Sequence, residues 1–151
     1  AETDPHGATS PLFCYPYARS REALARLRRD APVDPWDGVK LRYVNPATGG
    51  WPTPTLATFL QLLPAGFEGK AWRQTDGAVF SVVEGRGRAV IERDVDGQVH
   101  RSVFEFGPRD HFVVPSWHCC RLAASEDTVL FSFSDRPIHS ALGVLRQERL
   151  D

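Results

Sequence analysis

The sequence predicts an all-β domain of the sandwich or barrel kind, and three observations carry that prediction. Eight short runs of strand-forming residues follow one another closely between residues 39 and 134. Gly, Pro, Asn and Asp separate them and supply turn chemistry. Helical periodicity is confined to two stretches near the ends of the chain.

Each element follows in order. Residues 1 to 19 are rich in Pro, Gly, Ser and Thr and form an expected arm. Phe13, Tyr15 and Tyr17 alternate within it, so part of the arm is expected to dock on an apolar surface. Ser20 is placed to cap a helix running to about Arg29, with Leu24 and Leu27 on one face and Pro32 beyond its end. Asp34-Pro35-Trp36-Asp37-Gly38 is a turn. Strands are expected at Val39–Val44, Leu56–Leu63, Ala78–Glu84, Arg88–Arg93, Val99–Phe106, Phe112–Val114, His118–Ala123 and Thr128–Ser134. Asp94-Val95-Asp96-Gly97 suits a hairpin turn between two of them. Asp135 and Arg136 form an expected local ion pair that closes the last strand. A final helix is expected from Pro137, a favourable first helical residue, with Ile138, Leu142 and Leu145 as its apolar stripe. The expected organisation is an arm and connector helix over 1–38, a barrel over 39–136 and a C-terminal helix over 137–151.

Composition narrows the function classes. The chain has 151 residues, enough for one domain with a sizeable core. Its formal net charge is −1, from 18 basic and 19 acidic residues, so there is no electrostatic case for nucleic acid or an anionic membrane. No apolar run approaches the roughly 18 residues that span a bilayer. Cys14, Cys119 and Cys120 are odd in number and two are adjacent, a poor disulfide framework that suits a reducing cytoplasm. No signal-peptide pattern opens the sequence. The chain holds no methionine; a start inside a longer protein or loss of the initiator residue would each explain that.

The stretch from Gly66 to Gly85 carries a frame without its functional groups. It runs Gly66, five residues, Trp72-Arg73-Gln74, three residues, Ala78, six residues, Gly85. This resembles the first signature of the cupin family, a double-stranded β-helix or jelly-roll barrel. The family has histidines where Trp72 and Gln74 stand and a glutamate where Ala78 stands. The second cupin signature is recognisable from Arg109 through Asp110 and Pro115 to Cys120, which occupies its histidine position.

The chemistry at those positions is poor for a metal. Residues i and i+2 of a strand share a face, so side chains 72 and 74 aim together into a barrel. A transition metal needs several donors converging at about 2.0–2.2 Å. An indole N–H donates and does not ligate, Gln74 offers a neutral amide oxygen, and Ala78 offers nothing. Cys120 with His118 and Gln74 is the one conceivable donor set, for metal or nucleophilic chemistry. The simpler expectation is that these positions are packing, because small barrels are filled by side chains. Arg73, between positions 72 and 74, points outward by alternation, and carboxylate recognition is its alternative use. Trp72, Gln74, Trp117, His118 and Cys120 form the candidate pocket.

The flanking sequence resembles one cupin subfamily. Leu41-Arg42-Tyr43-Val44-Asn45-Pro46-Ala47-Thr48-Gly49-Gly50, Phe59-Leu60-Gln61-Leu62-Leu63-Pro64, Val82-Val83-Glu84-Gly85-Arg86-Gly87, Val113-Val114-Pro115-Ser116-Trp117 and Leu130-Phe131-Ser132-Phe133-Ser134-Asp135-Arg136-Pro137 are similar to gentisate 1,2-dioxygenases. The similarity runs over roughly residues 11 to 148. It implies the C-terminal half of a bicupin, related to salicylate and 1-hydroxy-2-naphthoate dioxygenases. Members hold Fe(II) through histidines and open an aromatic ring with O₂. The resemblance therefore implies a partner, the N-terminal catalytic cupin of the same protein, which carries the Fe(II), and a homo-oligomer. No cofactor is expected in this chain, and its expected role is structural. The alternative is a stand-alone cupin that binds an aromatic acid or sugar between Trp72 and Trp117, without catalysis.

Overall fold

The computed structural model describes residues 14–151, so the expectation for Phe13 lies outside the described residues. Helix α1 (Tyr17–Asp30) is followed by β1 (Val39–Arg42), β2 (Ala57–Leu63), β3 (Trp72–Gln74), β4 (Ala78–Glu84), β5 (Gly87–Val95) and β6 (Gln98–Phe106). Then come β7 (His111–Val114), β8 (Cys119–Ala124), β9 (Thr128–Ser134), α2 (Arg136–Ala141) and β10 (Gln147–Arg149). The strands form two antiparallel five-stranded sheets, ordered β1-β2-β9-β4-β7 and β10-β3-β8-β5-β6. They face each other as a jelly roll, and the main core lies between them. It draws Phe80, Val82, Phe112, Val114 and Leu130 from the first sheet and Trp72, Ala89, Ile91, Phe106, Cys120 and Leu122 from the second.

The strands form where alternation demands them. In β4, Ala78, Phe80 and Val82 are each at most 5% exposed, while Val79 and Ser81 between them are half-buried. The hairpin from β5 to β6 turns on Asp96 and Gly97, whose φ angles are 54° and 79°. Positive φ at both central residues is what a two-residue type I′ turn needs. Gly85 closes β4 with φ 92°, and a Cβ there would sit 2.5 Å from the Asp127 carbonyl oxygen. Glycine at that position is a backbone requirement.

A smaller core lies on the outer face of the first sheet. Leu24 of α1 is fully buried against Val39, Leu60, Leu62 and Val129. Burying such a leucine contributes about 1.5–3 kcal/mol. The helix differs from expectation at its start. It begins at Tyr17, with Pro16 as N-cap and no side-chain cap bond, and Ser20 is buried within the first turns rather than capping them. Its end agrees with the position of Pro32: Ala31 is extended, as a residue before proline prefers. Tyr15 docks on Tyr43 with ring centroids 5.3 Å apart, and its hydroxyl donates to the Val44 carbonyl.

The C-terminal segment also departs from expectation. Pro137 does lie in the first turn of α2, but the helix ends at Ala141. Gly143 takes a left-handed φ of 71°, and Leu142, expected in an apolar stripe, is 71% exposed. The chain then adds β10 to the edge of β3, pairing Gln147 with Gln74 and Arg149 with Trp72. A clasp fixes this end. Arg149 donates to Asp34 (3.1 Å) and Asp37 (3.2 Å), and its guanidinium lies 4.9 Å from the centre of the Trp36 ring. The Trp36 indole N–H donates to the Leu150 carbonyl at 2.8 Å.

Candidate functional site

Of the four frame positions, 72, 78 and 120 are buried in the core and 74 is half-buried. Trp72 and Cys120 are directly paired across β3 and β8. Trp72 is 5% exposed, and Cys120 and Ala78 are also buried. Gln74 is half-buried, and its amide N–H donates to Asp76 at 3.1 Å. Its orientation is thus fixed by a carboxylate neighbour.

A column of aromatic rings fills the centre. Trp72 meets Phe80 with centroids 6.4 Å apart. Phe80 stacks on Phe112 at 5.0 Å with 6° between planes, and Phe112 stacks on Phe106 at 5.5 Å and 16°. Such pairs add about 0.5–1.5 kcal/mol beyond the area they bury. Sequence reading did not single out Phe80, Phe106 or Phe112 as site residues. The available signal was Phe80, two residues after Ala78 and so on the same inward face of β4.

Cys120 is a packing group. Burial pushes its thiol pKa well above the usual cysteine value, and the neighbouring Cys119 pushes it the same way. A protonated thiol neither attacks nor ligates. His118 points its Nδ1 at the Ser116 carbonyl, 3.0 Å away, in a local turn contact. Among the described residues, no three His, Cys, Asp or Glu side chains converge so as to hold a metal ion. The family's Fe(II) therefore does not fit the residues this barrel presents: an indole, an amide bound to Asp76, a methyl group and a buried thiol.

The candidate pocket residues divide between two sides of β3. Trp72 and Gln74 share the inward face, and Arg73 takes the other, as alternation requires. Arg73 bonds Glu148 at 2.7 Å and lies 4.5 Å from the centre of the Trp117 ring. Trp117 thus packs with Arg73, across β3 from Trp72. Its φ of 60° is unusual for a bulky residue, and its N–H donates to the Gln74 carbonyl at 2.8 Å. That left-handed backbone takes the indole out of simple strand alternation.

Beside the barrel's end lies a polar cluster that the sequence reading divided wrongly. Arg136 was expected to pair with Asp135. It instead reaches Asp76, 3.7 Å away and 1% exposed, and donates to Gln147 at 2.9 Å. Asp135 meets His139 at 3.0 Å. The Arg136–Asp76 contact ties α2 to the β3–β4 turn.

With two antiparallel sheets, a filled barrel and the two signature frames in place, the molecule is a cupin. Comparison with known proteins makes this more specific. No family model matches the chain. A gentisate 1,2-dioxygenase from Aquipseudomonas alcaligenes is 43% identical over 143 residues, covering 95% of this chain and 39% of the relative. A 5-aminosalicylate 1,2-dioxygenase from a Comamonas species is 33% identical and is covered over 36% of its length. The crystal structure of salicylate 1,2-dioxygenase from Pseudoaminobacter salicylatoxidans superposes with a TM-score of 0.79 at 34% identity, over 94% of this chain and 38% of that one. The chain belongs to the gentisate dioxygenase family, and it spans about two fifths of the length of these relatives.

Proposed function

We propose that this chain is the metal-free C-terminal cupin of a gentisate-type, aromatic ring-cleaving dioxygenase, and that its role is to support a catalytic cupin and build the oligomer. The observation that carries this reading is the ring column Trp72–Phe80–Phe112–Phe106. It occupies the barrel centre, while Gln74, Ala78 and Cys120 stand at the remaining ligand positions without a usable donor set. Fe(II) and the aromatic substrate would then belong to the part of the protein that these residues do not span. Coverage of about two fifths of each relative supports a partner barrel within a longer chain. The cysteine usage and the absence of a long apolar helix among the described residues are compatible with a cytoplasmic setting.

The test is direct. The chain, purified without a histidine tag and loaded with Fe(II), is assayed with gentisate and oxygen, and its metal content is measured. The expected result is no turnover and no stoichiometric transition metal. Turnover, or one tightly held iron per chain, would overturn the reading.

A further inference from the structure

Strand β6 is an unprotected edge. Among the described residues it pairs only with β5, and every residue from Gln98 to Glu105 is exposed. Val99 is 62% exposed, Val103 54% and Phe104 45%. Its nine residues include no proline and no lysine, and its ladder with β5 has no bulge. Those are the usual means of keeping an edge from pairing.

The hairpin fixes which groups face outward. A type I′ turn makes Val95–Gln98 a hydrogen-bonded pair, and the pattern alternates from there. Gln98, His100, Ser102, Phe104 and Phe106 therefore bond to β5. Val99, Arg101, Val103 and Glu105 turn their N–H and C=O groups to the free edge.

We propose that β6 pairs antiparallel with β6 of a second copy about a two-fold axis through Val103, joining two five-stranded sheets into one. This deepens the oligomer-building role proposed above and rests on it. Charge selects the register. An antiparallel mate sets outward-facing residues against outward-facing residues. An axis through Arg101 sets two arginines against each other. An axis through Ser102 or Phe104 sets charges against valines. Only the axis through Val103 places Arg101 against Glu105 of the second copy, twice by symmetry.

That register extends two rows already present in the chain. Arg101 bonds Glu92 on β5 at 2.7 Å, and Arg88 is the β5 partner of Glu105. The paired edges would form an alternating row, Glu92, Arg101, then Glu105 and Arg88 of the second copy. Beside it Val103 would meet its own copy across the axis, with Val90 behind it on β5. Phe104 would lie against Ser102 of the second copy. Opposite charges facing each other across strands stabilise pairing, and like charges oppose it.

The experiment is sedimentation of the whole chain over a range of concentrations, as wild type, Arg101→Glu, Glu105→Arg and an equimolar mixture of the two variants. Thermal unfolding checks that each variant folds. Wild type is expected to dimerise. Each variant alone should dissociate roughly tenfold more readily or worse, because two like-charge pairs replace two opposite ones. Mixing should restore dimers near wild-type affinity. In a dimer of unlike chains, one edge carries two acidic groups and the other two basic groups, so both facing pairs are again opposite in charge. A wild-type monomer would overturn the proposal and leave the edge to some other polypeptide. A dimer that persists in both variants would overturn this surface while leaving an assembly role intact. Mixing without recovery would overturn the register and the proposal with it.

Discussion

Strands β4 and β6 are built alike and treated oppositely. Both are long, antiparallel and rich in Val and Phe. Strand β4 lies between β9 and β7, and its inward residues Ala78, Phe80 and Val82 are buried. Strand β6 ends its sheet, and only Phe106 is buried. The difference teaches that the same residue types fill the core in one strand and stay exposed in the other, because β4 is paired on both sides and β6 on one. Phe80 is buried between Trp72 and Phe112, and Val103 is 54% exposed on an edge.

The largest test of that contrast is Phe80→Ala. It removes the middle of the ring column and is expected to cost about 3–5 kcal/mol in urea unfolding. Val103→Ala on β6 should stay within about 0.5 kcal/mol in the monomer. Comparable losses would break the comparison. Two glycines sharpen it next, Gly85 in the crossing from one sheet to the other and Gly97 in the β5–β6 hairpin. Gly85→Ala drives a Cβ into the Asp127 carbonyl and strains a φ of 92°, so about 2–4 kcal/mol is expected from both effects. Gly97→Ala meets nothing within 4 Å and should cost about 1 kcal/mol for its φ alone. Thermal or urea unfolding of the two variants orders them.

Asp127 gives a smaller, pH-dependent effect. The Ala65 N–H, 2.8 Å from Oδ1, is the main cause that holds its pKa below the ordinary 3.8; partial burial opposes this, and Arg28 adds to the lowering. A depressed folded-state pKa means stability that is full above the unfolded pKa and is lost as pH falls through the folded one. The side chain is 43% exposed and solvent screens it, so Asp127→Asn should cost only about 0–1 kcal/mol at neutral pH. The gap to wild type should close in acid below the ordinary carboxylate range; a gap that stays constant there would count against the assignment. Smallest is Glu92→Gln, which removes a half-buried partner of the exposed Arg101 and should change monomer stability by about 0–1 kcal/mol.

Much of the barrel was legible because alternation is a local signal. Ala78–Glu84 and Thr128–Ser134 have the bounds that their apolar spacing predicts. Strand β10 was not legible, since Gln147, Glu148 and Arg149 carry no apolar alternation and are a strand only because β3 offers an edge. A helix was expected there, and Gly143 in the left-handed region stops it. At the candidate site, the residues at 72, 74, 78 and 120 could be read from the frame. What fills the centre could not, because Phe80, Phe106 and Phe112 meet only through pairings far apart in sequence. Trp117 joined the expected pocket by its position in the second signature, and a positive φ sends it to Arg73 instead.

The aromatic column also makes this barrel hard to reverse. Placing imidazoles at 72, 74 and 120 would supply nitrogen donors, yet leave the Phe80–Phe112 stack filling the core between the sheets. Each return step toward a cation centre would expose the stacked rings before any ion repaid the loss. Packing of this kind works as a ratchet, because every single step away from it loses ring contacts first.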